Sequence, residues 1–197
     1  MSATQVFDWE QRYRDGTTPW QNPTLHPAFL AWRDAGTLAP CRILLPGAGR
    51  SAEPAALAAA GFDVTVVDVA PSAVAMQRAA IGSRGQAIEA DLFAWQPDAP
   101  FDSIYDQTCL CALPPTTMPD YAARLASWLR PGGSLFALLM QTGREGGPPF
   151  DCPVPVMQAL FAPPLWHWPA TLPPAVAHGT LGYDEQPAIL LRGRPLA

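Results

Sequence analysis

The sequence predicts an α/β domain built on a mostly parallel sheet with helices on both faces. Three observations carry that prediction. Short apolar or β-branched runs alternate with helix-length stretches from residue 42 onward, and strands separated by helices must run parallel and be covered on both sides. A strand runs straight into Gly47-Ala48-Gly49 and then into an alanine-rich stretch, the strand–turn–helix order of ligand-binding α/β sheets. The chain of 197 residues is 49% hydrophobic and 15% charged, enough for one domain burying roughly 70% of its unfolded surface.

In order along the chain, residues 5–14 and 27–35 read as short helices, the second stopped by Gly36. Residues 42–45 form an apolar strand, and 51–60 a helix ended by Gly61. Residues 63–69 are β-branched and extended, and 72–80 a helix with Ser72 as N-cap. Short strands follow at 86–90 and 103–105. The stretch 118–129 carries Tyr121, Leu125 and Trp128 at helical spacing, ends at Pro131-Gly132-Gly133, and leads into the longest strand, 134–141. Beyond Gly143 prolines fragment the pattern; 154–161 reads as a helix, and 165–168 and 188–192 as weak strands pairing as an antiparallel edge.

Composition excludes several functions. All twelve basic residues are arginine, so a phosphate-binding P-loop and Schiff-base chemistry have no lysine to use. A net charge of −5 argues against a nucleic-acid partner. No apolar run approaches the roughly 20 residues of a membrane span, and the mixed charges and aromatics of residues 1–15 are unlike a targeting peptide. Cys41, Cys109, Cys111 and Cys152 lack metal-ligand spacing, so a reduced cytoplasmic protein is expected.

The informative stretch is Pro46-Gly47-Ala48-Gly49-Arg50-Ser51-Ala52. Gly47 and Gly49 let backbone approach a ligand closely. The next strand delivers Asp68 to the same edge, where a carboxylate accepts strong hydrogen bonds from two ribose hydroxyls. The third delivers Asp91 and Leu92, placed for an adenine edge and face. These features also fit a dinucleotide site. Two others favour S-adenosylmethionine: some 40 residues before the first strand, suited to a lid, and the Pro-Gly-Gly turn before the fifth strand.

Trp9-x-x-x-Tyr13, Gly16-Thr17-Thr18-Pro19-Trp20, His26-Pro27, the glycine turn, Asp106-x-Thr108-x-x-Cys111-Ala112-Leu113 and Gly146-Gly147-Pro148-Pro149-Phe150 together resemble the thiopurine S-methyltransferase family. The likeness covers most of the chain to Phe161 and is nearest the thiol and halide methyltransferase branch. It implies a Rossmann-like class I methyltransferase fold: a seven-stranded, mostly parallel sheet with an antiparallel edge strand and a helical lid. One methyltransferase domain would then span 1–197, with a lid at 1–40, a cofactor-binding core at 41–142, and a substrate-cover loop and edge strands at 143–197. It further implies S-adenosylmethionine contacts from Trp9, Trp20, Gly47, Asp68, Asp91, Leu92 and Gln107. Ala48 and Arg50 depart from the frequent cysteine and lysine, and Gln107 stands where animal thiopurine enzymes carry arginine, a change that argues against thiopurines and other anionic aromatic thiols.

The implied reaction is methyl transfer to a small soft nucleophile, a thiol first, with selenol or halide in the same class. Such a nucleophile needs alignment and a dry site rather than a base. No charge-relay set is visible, and His26, His167 and His178 read as structural. Asp106 has two readings, orienting the methionine end or acceptor, or holding the following loop. Cys109 and Cys111 line the pocket or the core. Tyr13 and Phe150 are the candidate substrate contacts. Oxygen or nitrogen acceptors, a cofactor-binding module without turnover, and a nicotinamide-dependent protein remain as rivals.

Overall fold

The computed structural model describes residues 7–193. The first helix expected, 5–14, is seen as α1 (Trp9–Arg14), its first two residues lying outside the described ones. Then come α2 (Pro27–Asp34), β1 (Arg42–Pro46), α3 (Glu53–Ala59), β2 (Asp63–Asp68), α4 (Pro71–Ile81), β3 (Gly85–Glu89) and β4 (Phe101–Gln107). The chain continues through α5 (Met118–Trp128), β5 (Leu129–Gln141), α6 (Val154–Leu160), β6 (Trp166–His167), β7 (Val176–Ala177) and β8 (Asp184–Arg192).

The sheet order is β3-β2-β1-β4-β5-β8-β6, with β7 also on β8. The first five strands are parallel, and β8 runs antiparallel to β5. Among the described residues eight strands are present where seven were expected, because the outer partner of β8 is broken in two. β7 pairs at Glu185 and Asp184, β6 at Arg192 and Leu191. Between those ends β8 has a strand partner on one side only, and Pro187, which lacks an N–H for a ladder, sits in that stretch.

Strand alternation separates two cores. Ile43 and Leu45 of β1 face Phe29 and Trp32 of α2, Leu57 of α3 and Val74 of α4. Leu44 joins the other cluster, with Tyr121, Leu125 and Trp128 of α5 and Met157 of α6. Every second residue changes face, so the near-continuous apolar run 43–45 is what a strand covered on both sides requires.

Two local expectations are corrected. Ser72 does not cap α4. The helix starts at Pro71, with Ala70 as a cap lacking a side-chain bond, because proline suits the first helical position. The side-chain acceptor comes instead from α1, where Glu10 accepts from Ser72 N–H at 2.9 Å and from its hydroxyl at 2.8 Å. The second concerns β5, which begins at Leu129 rather than 134. Leu129 pairs with Phe101 before the register shifts across Pro131-Gly132-Gly133 and resumes at Ser103–Ser134.

His26 is a helix-start residue: its Nδ1 accepts from Ala28 N–H at 3.1 Å. His178 Nδ1 likewise faces the N–H groups of Thr180 and Leu181, at 3.3 Å each. An Nδ1 that accepts leaves the ring proton on Nε2. His26 Nε2 lies 3.2 Å from the fully buried Glu185 carboxylate. The lid, β8 and the loop before it therefore meet at a buried imidazole–carboxylate cluster. His167 is exposed on β6.

Candidate active site

The carboxyl ends of β1 to β4 open on a cavity of about 670 Å³, at the edge where open α/β sheets bind ligands. Gly47 and Gly49 both have φ of +53°. A Cβ on Gly47 would lie 2.7 Å from Cys109 Sγ, and one on Gly49 would strike the Tyr13 hydroxyl. Glycine alone combines that left-handed backbone with that clearance.

Asp68, at the end of β2, is 6% exposed and lines the cavity. Its two oxygens accept from Gly49 N–H and Ala70 N–H, each at 2.9 Å. Burial lifts its carboxyl above the usual range, and these donors pull the other way. Each oxygen keeps a second lone pair, so the carboxylate can still receive the two hydroxyls of a ribose. Asp91 lies just beyond β3, where Oδ1 accepts from Phe93 N–H at 2.8 Å. That turn brings Leu92 and Phe93 to the wall.

The lid closes the same space with aromatic rings. Trp9 and Trp20 meet edge to face at 5.4 Å, and Tyr13 meets Trp20 at 6.0 Å. The Arg50 guanidinium lies 4.8 Å from the Tyr13 ring centre. Burial, with the Asp68 charge behind it, pushes the Tyr13 phenol up to about 12. Tyr13 lines the cavity beside the glycine turn, its hydroxyl close to Gly49.

The cavity thus gathers Trp9, Tyr13, Trp20, Gly47, Gly49, Asp68, Asp91, Leu92 and Gln107. Gln107 accepts from the Tyr105 hydroxyl at 3.0 Å. Two candidates fall outside it. Asp106 is buried, taking Leu110 N–H at 3.2 Å and the Tyr121 hydroxyl at 2.7 Å. Its neighbour Gln107 lines the cavity, whereas Asp106 is bonded to Tyr121 of α5 and to the backbone of the following loop, the second of its two readings. Phe150 also stands one layer back. Its N–H donates to Cys111 O at 2.7 Å, and its ring packs under Gly147 and against Phe7. Pro148 and Pro149 line the cavity in its place.

Cys109 and Cys111 are both buried and at the wall, so the two readings of these thiols coincide. β4 ends at Gln107 and a tight turn, Leu110–Ala112, carries them. Burial pushes both thiols well above their ordinary value, leaving neutral, soft surfaces. Thr108 has φ of +63°, a strained backbone at the site's centre that no sequence signal announces. Arg12, Arg144, Leu181 and Tyr183 also line the cavity and escaped sequence reasoning. The last two lie in a proline-rich tract without periodicity.

These residues fit S-adenosylmethionine. The glycine cradle and Asp68 suit an adenosine moiety, and aromatic faces attract a sulfonium by ~0.5–2 kcal/mol. A family model described as thiopurine S-methyltransferase matches residues 4–171. The chain belongs to the thiopurine S-methyltransferase family. It is an S-adenosylmethionine-dependent methyltransferase, as that family is. "Probable thiol methyltransferase 2" of Arabidopsis thaliana is 30% identical over 169 residues, 83% of this chain and 75% of its own length. "Thiocyanate methyltransferase 1" of Brassica oleracea is 30% identical over 161 residues, 79% of this chain and 71% of its own. The fold matches a Burkholderia thailandensis 1,6-didemethyltoxoflavin-N1-methyltransferase with a TM-score of 0.78 at 20% identity, covering 98% of this chain and 94% of the other. Among the described residues no helix is long and apolar enough to cross a membrane.

Proposed function

We propose that this methyltransferase acts on a small thiol, with selenols and halide-like anions in the same soft class. The observation that carries the reading is a lidded cavity whose lining, among the described residues, includes no histidine and in which the Cys109 and Cys111 thiols and the Tyr13 phenol are held neutral by burial. A lining without histidine suits a nucleophile that ionises unaided. A free thiol is a few per cent thiolate at pH 7, and that fraction is highly nucleophilic. The names of the thiol and thiocyanate methyltransferases above support the same acceptor class.

Bound in the cavity, S-adenosylmethionine supplies a methyl carbon on a positively charged sulfur, already activated for in-line displacement. Asp68 and Asp91 would hold the adenosine end, and Trp9 and Trp20 would exclude water from the sulfonium. Gln107 and Thr108 line the same cavity where β4 ends. Exclusion of water and alignment are the protein's share of the chemistry. We assign the acceptor as a small molecule rather than nucleic acid, supported by the net charge of −5. Four free cysteines support a reduced, cytoplasmic setting.

The test is a matched panel: an aliphatic thiol, an aromatic thiol, thiocyanate, iodide, a catechol and a primary amine, scored by methylated product. The expected kcat/KM for at least one thiol exceeds those for catechol and amine by tenfold or more. Turnover of catechol or amine alone would overturn the reading, as would no product from any acceptor.

A further inference from the structure

The strand order gives the cavity two chemically different ends. Asp68 follows β2 and Asp91 follows β3, on one side of β1 and β4. Arg144 follows β5, and Tyr183 precedes β8, on the other side. Asp68 and Asp91 are the cavity's two carboxylates among the described residues, so its β5–β8 end has none.

At that end the Arg144 guanidinium lies 5.1 Å from the centre of the Tyr183 ring. Among the described residues its side chain has no hydrogen bond or ion pair, as is true of the cavity's other arginines, Arg12 of α1 and Arg50 of the glycine turn, whereas Arg14, Arg33, Arg42 and Arg130 each pair with a carboxylate. The loop holds two acids: Glu145, which follows Arg144 in the chain and forms no ion pair among the described residues, and Asp151, whose Oδ1 accepts from Thr142 N–H at 2.7 Å and from Gly143 N–H at 3.2 Å. That bond pair anchors the base of the loop beside Arg144. Pro148, Pro149 and Leu181 supply the surrounding apolar wall. Arg144 is exposed on its loop, and a guanidinium set over a ring by its face keeps its N–H edge for a planar anion.

We infer that Arg144, braced by Tyr183, is the specificity-determining residue for a carboxylate carried on the thiol acceptor. The preferred substrate class is then a small mercaptocarboxylate, its sulfur directed toward the lid and its carboxylate toward Arg144. This rests on the thiol reading above and narrows it.

The experiment compares 3-mercaptopropionate with 3-mercaptopropionamide, equal in size and differing in charge, in the wild type, Arg144→Gln and Arg144→Lys. The wild type is expected to favour the carboxylate at least tenfold in kcat/KM, mainly through KM, with the preference shrinking as salt is raised. Arg144→Gln should bring the ratio below about two, and Arg144→Lys should restore part of it. A wild type without preference, or a preference that survives Arg144→Gln, overturns the inference. A second arm measures binding of the methylated products, 3-(methylthio)propionate and its amide, to protein loaded with S-adenosylhomocysteine. If neither thiol is methylated, the thiol reading fails, and this arm still decides the role of Arg144: carboxylate binding lost in Arg144→Gln supports it, and equal binding of acid and amide in the wild type overturns it.

Discussion

Asp68 and Asp106 are both buried acids at strand ends, yet their surroundings assign them opposite work. Asp68 faces the cavity with lone pairs to spare; replacing it with alanine should weaken S-adenosylhomocysteine binding at least tenfold by calorimetry, since hydrogen bonds to charged groups contribute ~1.5–3 kcal/mol each. A loss of less than twofold would reject the ribose assignment. Asp106 is raised to about 6, first by burial, against the pull of Tyr121 and Leu110. An unfolded aspartate titrates at about 3.9. Between those values the folded chain holds the extra proton, so stability falls as pH rises through that window. Asp106→Asn, which imitates the protonated acid, should remove that fall. Denaturant titrations at pH 4 and pH 7 should show the variant gaining on the wild type by on the order of 2–3 kcal/mol.

At the scale of elements, two polar contacts add to the apolar packing of α2 in holding the lid segment. Glu10 of α1 satisfies first-turn groups of α4, so Glu10→Gln should weaken cofactor binding severalfold while leaving Tm nearly unchanged. The second anchor is the buried contact of His26 with Glu185, near His178. Removing one partner of a buried ionisable pair costs ~3–5 kcal/mol, and for a chain of this size Glu185→Ala should lower Tm by on the order of 10 °C. Neither anchor was legible along the chain. Ser72 looked like a cap because local spacing cannot show that a carboxylate 62 positions away fills the role. The sequence reads His26 as structural, but its partner Glu185 lies in a strand whose first half is hidden by Pro187. Elements with clean periodicity, such as α5 and the apolar strand β1, were read within a residue or two.

For the whole molecule, the parallel order of β1 to β5 creates the cavity, and ligand linkage tests it without reference to any acceptor. S-Adenosylhomocysteine at one hundred times its Kd should stabilise the protein by about 2.7 kcal/mol. That raises Tm by roughly 5–10 °C in a chain of this length. NADH should leave Tm unchanged, and the opposite pattern would contradict the cofactor assignment. The fold class, the glycine turn and the acids after β2 and β3 could all be read from the chain alone. Each depends on residues adjacent in sequence: periodicity within a strand, glycine at a turn, an acid where a strand stops. The acceptor end could not, because Arg144 and Tyr183 are 39 positions apart and share no local pattern. They meet only because β8 folds back antiparallel on β5. The same long-range packing turned Asp106 toward α5 and set Phe150 behind the cavity wall, since strand alternation limits which face a residue takes while neighbouring elements decide what that face meets.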